Sequence, residues 1–180
     1  ISMEECGAAA ICFTGHKGLL GPQGIGGCVL DPEFATQIDA LVAGGTGSHS
    51  DSEQMPSFMP DRLEAGTPNL PGIAGLDASL AWLGEKGIDA VRGHELALTQ
   101  RLLDGLRPLA AARRVRLAGL PGTEGRTGVV SIQTPGYALP QVAHALDARF
   151  GIQPRVGLHC TPSAHKPLGP FPAGTIRFSL

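Results

Sequence analysis

The sequence is poor in charge. Asp, Glu, Lys and Arg make up 17% of its 180 residues, and the formal balance is −2. So little charge argues against a long disordered tail, and a balance this close to zero leaves no basic footprint for nucleic acid. No apolar run reaches the roughly 20 residues that a membrane-spanning helix needs. Residues 1–12 lack the basic start and small-residue cleavage site of a signal peptide. Cys6, Cys12, Cys28 and Cys160 form neither a CxxC nor a disulfide-dense framework, so a reducing, cytoplasmic setting is expected. There is no internal repeat.

What is present supports a folded chain. Hydrophobic residues reach 42%, enough for a core. The length suits one domain, or part of a larger domain plus a small one. The 26 glycines and 15 prolines cluster at turns and read as loop chemistry, not low complexity. The chain opens at Ile1 and closes in the strand-like run Gly174–Leu180, so a piece of a longer chain is expected.

Ala8–Phe13 and Ile25–Leu30 read as two buried strands, a candidate hairpin around a Gly-Pro turn. Residues 43–51 and 57–68 are loops rich in Gly, Ser and Pro, of the kind that carry function or line an interface. Asn69 offers an N-cap and Pro71 a first turn for a helix whose apolar stripe is Ile73, Leu76, Leu80 and Leu83, stopped by Gly84 or Gly87. A second helix runs from Ile88 to about Leu109, with Ile88, Val91, Leu98, Leu102, Leu106 and Leu109 on its apolar face. A strand over 126–133, a helix over 140–150 and strands over 152–156 and 175–180 then form a small α+β tail.

Lys17 follows the first strand directly. The end of a sheet strand is where ligands bind in α/β folds, and Schiff-base chemistry needs a neutral amine there. For a lone lysine the ordinary reading is a surface turn. The surrounding string decides otherwise. Phe13-Thr14-Gly15-His16-Lys17 and Gly21-Pro22-Gln23-Gly24-Ile25-Gly26 resemble the cofactor-lysine segment of class V aminotransferases, which are fold type I pyridoxal-phosphate enzymes. Within that class they are similar to the cysteine desulfurase and selenocysteine lyase branch. So are Leu63-Glu64-Ala65-Gly66-Thr67-Pro68-Asn69 and Arg155-Val156-Gly157-Leu158-His159-Cys160, in the same order along essentially the whole chain.

The resemblance implies an α/β fold. Residues 1–107 would be the C-terminal part of the large cofactor domain, a three-layer αβα unit, and residues 108–180 a small C-terminal α+β domain. It implies that Lys17 carries pyridoxal 5'-phosphate as a Schiff base, and that Thr14 and His16 hold its phosphate, for which a hydroxyl and an imidazole N–H are suitable donors. It implies a homodimer in which Thr67 reaches the partner subunit's phosphate. The Gly44–Ser50 run lacks the P-loop lysine spacing, so a nucleotide site is rejected; by resemblance it is a loop near the partner's site.

Cys160 is the expected nucleophile, taking the sulfur of a bound L-cysteine as a persulfide. That role needs exposure and a nearby positive charge, and His159 and Arg155 are the candidates. Arg177 sits in an apolar strand where an unpaired charge is costly; the family places there the arginine that binds the substrate carboxylate in a bidentate fork. Arg155 is a second, weaker contributor, and a structural salt bridge is the plain alternative for both. A zinc site at His159, Cys160 and His165 lacks a fourth ligand of suitable spacing, so no metal is expected. Cys6, Cys12 and Cys28 read as core residues. The implied reaction converts L-cysteine to L-alanine and delivers sulfur to an acceptor protein. The alternatives are another class V aminotransferase, a selenocysteine lyase, or an inactive fragment lacking the upstream cofactor-binding half.

Overall fold

The computed structural model describes residues 2–180; Ile1, which opens the expected first domain, lies outside them. The chain divides into two compact units, Ile1–Lys86 and Gly87–Leu180.

The first unit opens with a single turn, α1 (Met3–Cys6). Strands β1 (Ala10–Thr14) and β2 (Gly26–Leu30) form an antiparallel ribbon in which Cys12 faces Cys28 and Thr14 faces Gly26. The hairpin pairing is the expected one, but the burial is not. Every residue of both strands is exposed or half-buried, because a two-stranded sheet leaves faces and edges open. For the same reason Cys12 and Cys28, expected in the core, are exposed; Cys6, on α1, is exposed too. Helix α2 (Pro32–Gln37), which the sequence pattern did not signal, starts on Asp31, whose carboxylate accepts from the N–H of Glu33 and of Phe34 at 3.0 Å.

Residues 38–69 hold no helix or strand, so the predicted loops 43–51 and 57–68 lie within one irregular segment. Arg62 pairs with Asp39 at the start of this segment at 2.9 Å and donates to the Thr36 carbonyl of α2 at 3.4 Å. Helix α3 (Leu70–Lys86) begins where expected, with Asn69 Oδ1 accepting from the Gly72 N–H at 3.1 Å. Of its predicted stripe, Leu83 is buried and Leu76 half-buried, whereas Ile73 and Leu80 are exposed.

The second unit starts with α4 (Ile88–Ala111), inside which the expected domain boundary at 107/108 falls. Its buried residues are Thr99, Leu103 and Leu106; of the predicted stripe Leu106 is buried and Val91 and Leu102 half-buried, whereas Ile88, Leu98 and Leu109 are exposed. Thr99 is tolerated there because its hydroxyl donates to the Glu95 carbonyl at 2.7 Å, so no polar group is left bare. Next come β3 (Arg116–Ala118), β4 (Val129–Gln133), α5 (Leu139–Phe150), β5 (Arg155–Gly157), α6 (Pro162–Leu168) and β6 (Thr175–Ser179). The strands form one antiparallel sheet in the order β3-β4-β6-β5.

Leu103 and Leu106 of α4 meet Val115, Val130, Ile132, Leu139 and Ile176 in the core of this unit. Strand β4 is shorter than predicted because Arg126 is taken up by a turn, where its guanidinium donates to the carbonyls of Leu120, Gly122 and Val129. The Pro-rich stretch after Cys160 opens with helix α6, with Pro162 in the first turn where its missing N–H costs nothing.

Candidate active site

Lys17 sits on a closed loop between β1 and β2. The Gly15 N–H bonds the Ile25 carbonyl at 2.9 Å, the Gly21 N–H bonds the Gly15 carbonyl at 2.8 Å, and the Leu20 N–H bonds the Lys17 carbonyl at 2.9 Å. A Cβ at Gly15 would lie 2.7 Å from the Ile25 side chain and 3.0 Å from its carbonyl oxygen, so only glycine permits this closure. Asn69 clamps the loop to α3: its amide donates to the Gly24 carbonyl at 3.2 Å while its oxygen caps the helix. The clamp thus joins the Lys17 loop to the turn that holds Thr67.

Thr14, His16, Lys17 and Thr67 are all exposed. Among the described residues, none of these four side chains makes a hydrogen bond or ion pair within the protein. A cavity of about 720 Å³ lies between β2, α2 and residues 57–64 and is lined by none of the four.

In the second unit, Cys160 follows β5 on a tight turn closed by the Thr161 N–H to the Leu158 carbonyl at 2.9 Å. His159 and Cys160 both adopt left-handed backbone, φ +52° and +61°, which costs a non-glycine residue about 1 kcal/mol each. The turn lifts the thiol into an exposed position, where the Arg155 Nη2 donates to its Sγ at 3.5 Å. Arg155 stands directly opposite Arg177 in the β5–β6 register. Like charges placed so repel, and neither arginine meets a carboxylate among the described ion pairs. The Arg177 Nε is buried with no partner. This side chain lines a pocket of about 250 Å³ with Ser131, His159, His165 and Thr175.

The two histidines are linked through one hydroxyl. The Thr161 carbonyl can only accept, so His165 Nδ1 donates to it at 2.9 Å. With uncharged rings, His165 Nε2 is then an acceptor for the Thr175 hydroxyl at 3.5 Å, and the same hydroxyl oxygen accepts from His159 Nε2–H at 2.9 Å. This assignment leaves His159 Nδ1 as a bare acceptor, and that atom is buried without a partner. Burial, and then the positive charges of Arg177, His165 and Arg155, push the His159 pKa below its ordinary 6.5.

The structure therefore groups Arg155, Cys160, His159 and Arg177 in one unit, and Thr14, His16, Lys17 and Thr67 in the other. Sequence reasoning missed Thr175 and took Asn69 for a helix cap alone. Strand alternation signals Thr175, since residues 175 and 177 share a face of β6. Among the described residues, no group of three or more His, Cys, Asp or Glu could share a metal ion. No helix among them is long and apolar enough to cross a membrane.

The chain is thus an α/β protein with a lysine on a glycine-closed hairpin loop and a cysteine beside arginines that have no carboxylate partner among the described residues. The chain belongs to the aminotransferase class-V family, which it matches over residues 1–180. It is 33% identical over 163 residues to a probable cysteine desulfurase of Pyrococcus abyssi, a match covering 89% of this chain and 39% of that protein. It is 34% identical over 180 residues to a probable cysteine desulfurase of Pseudomonas putida, covering 99% and 42%. The apo structure of a cysteine desulfurase from Thermococcus onnurineus aligns with 99% of this chain and 43% of its own, at a TM-score of 0.84 and 32% identity. The chain spans about two fifths of the length of the curated relatives it matches. The family is pyridoxal-phosphate-dependent.

Thr14, His16 and Lys17 carry the chemistry that cofactor calls for. A hydroxyl, an imidazole and an amine stand free at one strand end, and they match what a phosphate and a reactive aldehyde require.

Proposed function

We propose that this chain is part of a cysteine desulfurase that moves sulfur from L-cysteine to Cys160. The observation that carries this reading is the contact of the Cys160 thiol with Arg155, opposite the unpaired Arg177. On this reading a nucleophile lies beside a site for an anion. Thr14 and His16 would hold the phosphate of pyridoxal 5'-phosphate and Lys17 its covalent attachment, with Thr67 serving the partner subunit of a homodimer. When bound, the cofactor supplies the electron sink that lets a proton leave the substrate α-carbon.

Lys17 takes that proton and returns it. Arg177 holds the substrate carboxylate, with Arg155 assisting. A Cys160 thiolate, held by the Arg155 guanidinium, attacks the substrate sulfur. The carbon–sulfur bond breaks, a sulfur–sulfur bond forms, and the electron pair left on carbon takes up a proton. The balance is L-cysteine plus one thiol giving L-alanine plus one persulfide, which passes to an acceptor protein. Residues 1–107 would complete a three-layer αβα cofactor domain, and residues 108–180 a small α+β domain. Four free thiols suit a reducing, cytoplasmic setting.

The test mixes the 180-residue chain with pyridoxal phosphate, L-cysteine and dithiothreitol. Lys17→Ala should abolish the visible absorbance of bound cofactor. Cys160→Ala should keep that absorbance and lose release of alanine and sulfide by about a hundredfold or more, the scale of losing a nucleophile. Unchanged turnover in Cys160→Ala overturns the reading.

A further inference from the structure

We propose that Cys12 and Cys28 form a cross-strand dithiol that small-molecule disulfides oxidise reversibly to a cystine joining β1 to β2. The two Sγ atoms lie 3.4 Å apart, and the residues are direct partners in the ribbon register. The parity of that register favours the bond. The hydrogen bonds at the two ends of the ribbon, Gly15 N–H to Ile25 and Asp31 N–H to Ala9, join odd-numbered residues. The even-numbered pairs, Cys12–Cys28 among them, are therefore the non-hydrogen-bonded ones. Cα atoms in such pairs are about 4.5 Å apart with side chains drawn together, inside the roughly 4.4–6.8 Å range that disulfides occupy.

Two further features single out this pair. Cys28 lines the cavity of about 720 Å³, so a small disulfide has room to reach it. Cys160, by contrast, has a guanidinium as its Sγ partner and no second thiol. The hydrogen bond shared with Cys12 pushes the Cys28 thiol above its ordinary 9.0, so oxidation should quicken as pH rises and the thiolate forms. The bond would lie on the ribbon face that also carries Thr14, two residues along β1. Disulfides in reducing compartments are mostly transient redox sensors, and the Lys17 loop is the segment this one would brace. None of this depends on the desulfurase reading.

With oxidised glutathione the steps balance. One thiolate of the pair attacks a glutathione sulfur and expels the first glutathione thiolate. The second cysteine thiolate attacks the protein sulfur of that mixed disulfide and expels the other. Two cysteine sulfurs are oxidised, the glutathione disulfide is reduced to two thiols, and the two protein protons end on them.

The experiment treats the 180-residue chain with oxidised glutathione and measures free thiols, intact mass and disulfide-linked peptides. The expected result is a Cys12–Cys28-linked peptide with no glutathione retained on either residue, and return of all four thiols with dithiothreitol. Cys12→Ser and Cys28→Ser should each stop at a glutathione adduct on the remaining partner. The double variant Cys6→Ser with Cys160→Ser should keep the whole response, with folding of each variant checked by circular dichroism. Four thiols still titratable, a cystine joining other cysteines, or a lasting glutathione adduct on Cys12 or Cys28 of the unsubstituted chain would each overturn the proposal.

Discussion

The two sheets of this protein stand in contrast. The β1–β2 ribbon is open, its side chains are exposed or half-buried, and its chemistry sits on the loop that closes it. The antiparallel sheet of the second unit covers Val130 and Ile176 completely under α4 and α5. Both present a proposed catalytic residue just past a strand, yet by different means. Lys17 depends on a glycine closure and an asparagine clamp, whereas Cys160 depends on a strained turn braced by buried polar groups. An open ribbon therefore exposes reactive groups at low structural cost, while a packed sheet can hold strain and unpaired charge beside them.

The sharpest way to test this contrast is core truncation. Leu103→Ala should cost the second unit about 2–5 kcal/mol, the range for large-to-small core changes. Val29→Ala on the ribbon should stay within about 0.5 kcal/mol. Urea titration of the two variants, followed by segment-resolved hydrogen exchange, would measure both. Equal losses would mean the ribbon is as tightly packed as the sheet.

A smaller effect is expected at the brace. Thr175→Val removes the hydroxyl between His159 and His165 and leaves the His159 Nε2–H without its partner. Unsatisfied buried groups cost about 1–3 kcal/mol. Loss of protection at residues 158–165 in hydrogen exchange should accompany it, and unaltered protection there would argue against the brace. Asn69→Ala should cost about 1 kcal/mol. Its specific signature is faster exchange at α3's first turn together with freer motion of residues 15–24. Loosening of the helix alone would show that the bond to Gly24 is incidental.

The smallest expected effect is that of pH. His159 has a depressed pKa in the folded state, so the unfolded chain binds the proton more readily. Its contribution to stability is present above the unfolded value near 6.5 and is lost as pH falls below it. Thermal unfolding of the second unit should shift downward through this window, and His159→Asn should flatten the dependence. An unchanged slope in that variant would remove His159 as its source.

Much of the local structure was legible in the sequence. Asn69 and Pro71 marked the start of α3, and the 140–150 pattern before Gly151 marked α5. The motifs around Lys17 and Cys160 pointed to the family to which the chain belongs. The errors were about faces. On α4 the leucine count selected the stripe through Leu98 and Leu109, while the buried face includes Thr99. Periodicity scores a threonine as polar and cannot see that its hydroxyl turns back onto the Glu95 carbonyl. The strands β1 and β2 were read as buried because apolar runs do not reveal whether anything lies over them.

Caps, helix stops, strand alternation and the lysine and cysteine motifs were determined by the sequence itself, because each depends on residues within a few positions of one another. Only the tertiary structure decided that Cys12 touches Cys28, that Arg155 reaches the Cys160 thiol across a turn, and that Arg177 faces Arg155 without a counterion. Those facts follow from strand register and from which neighbour packs where. A shift of one residue in either sheet would leave the composition and the local signals intact while sending each of these side chains to the opposite face.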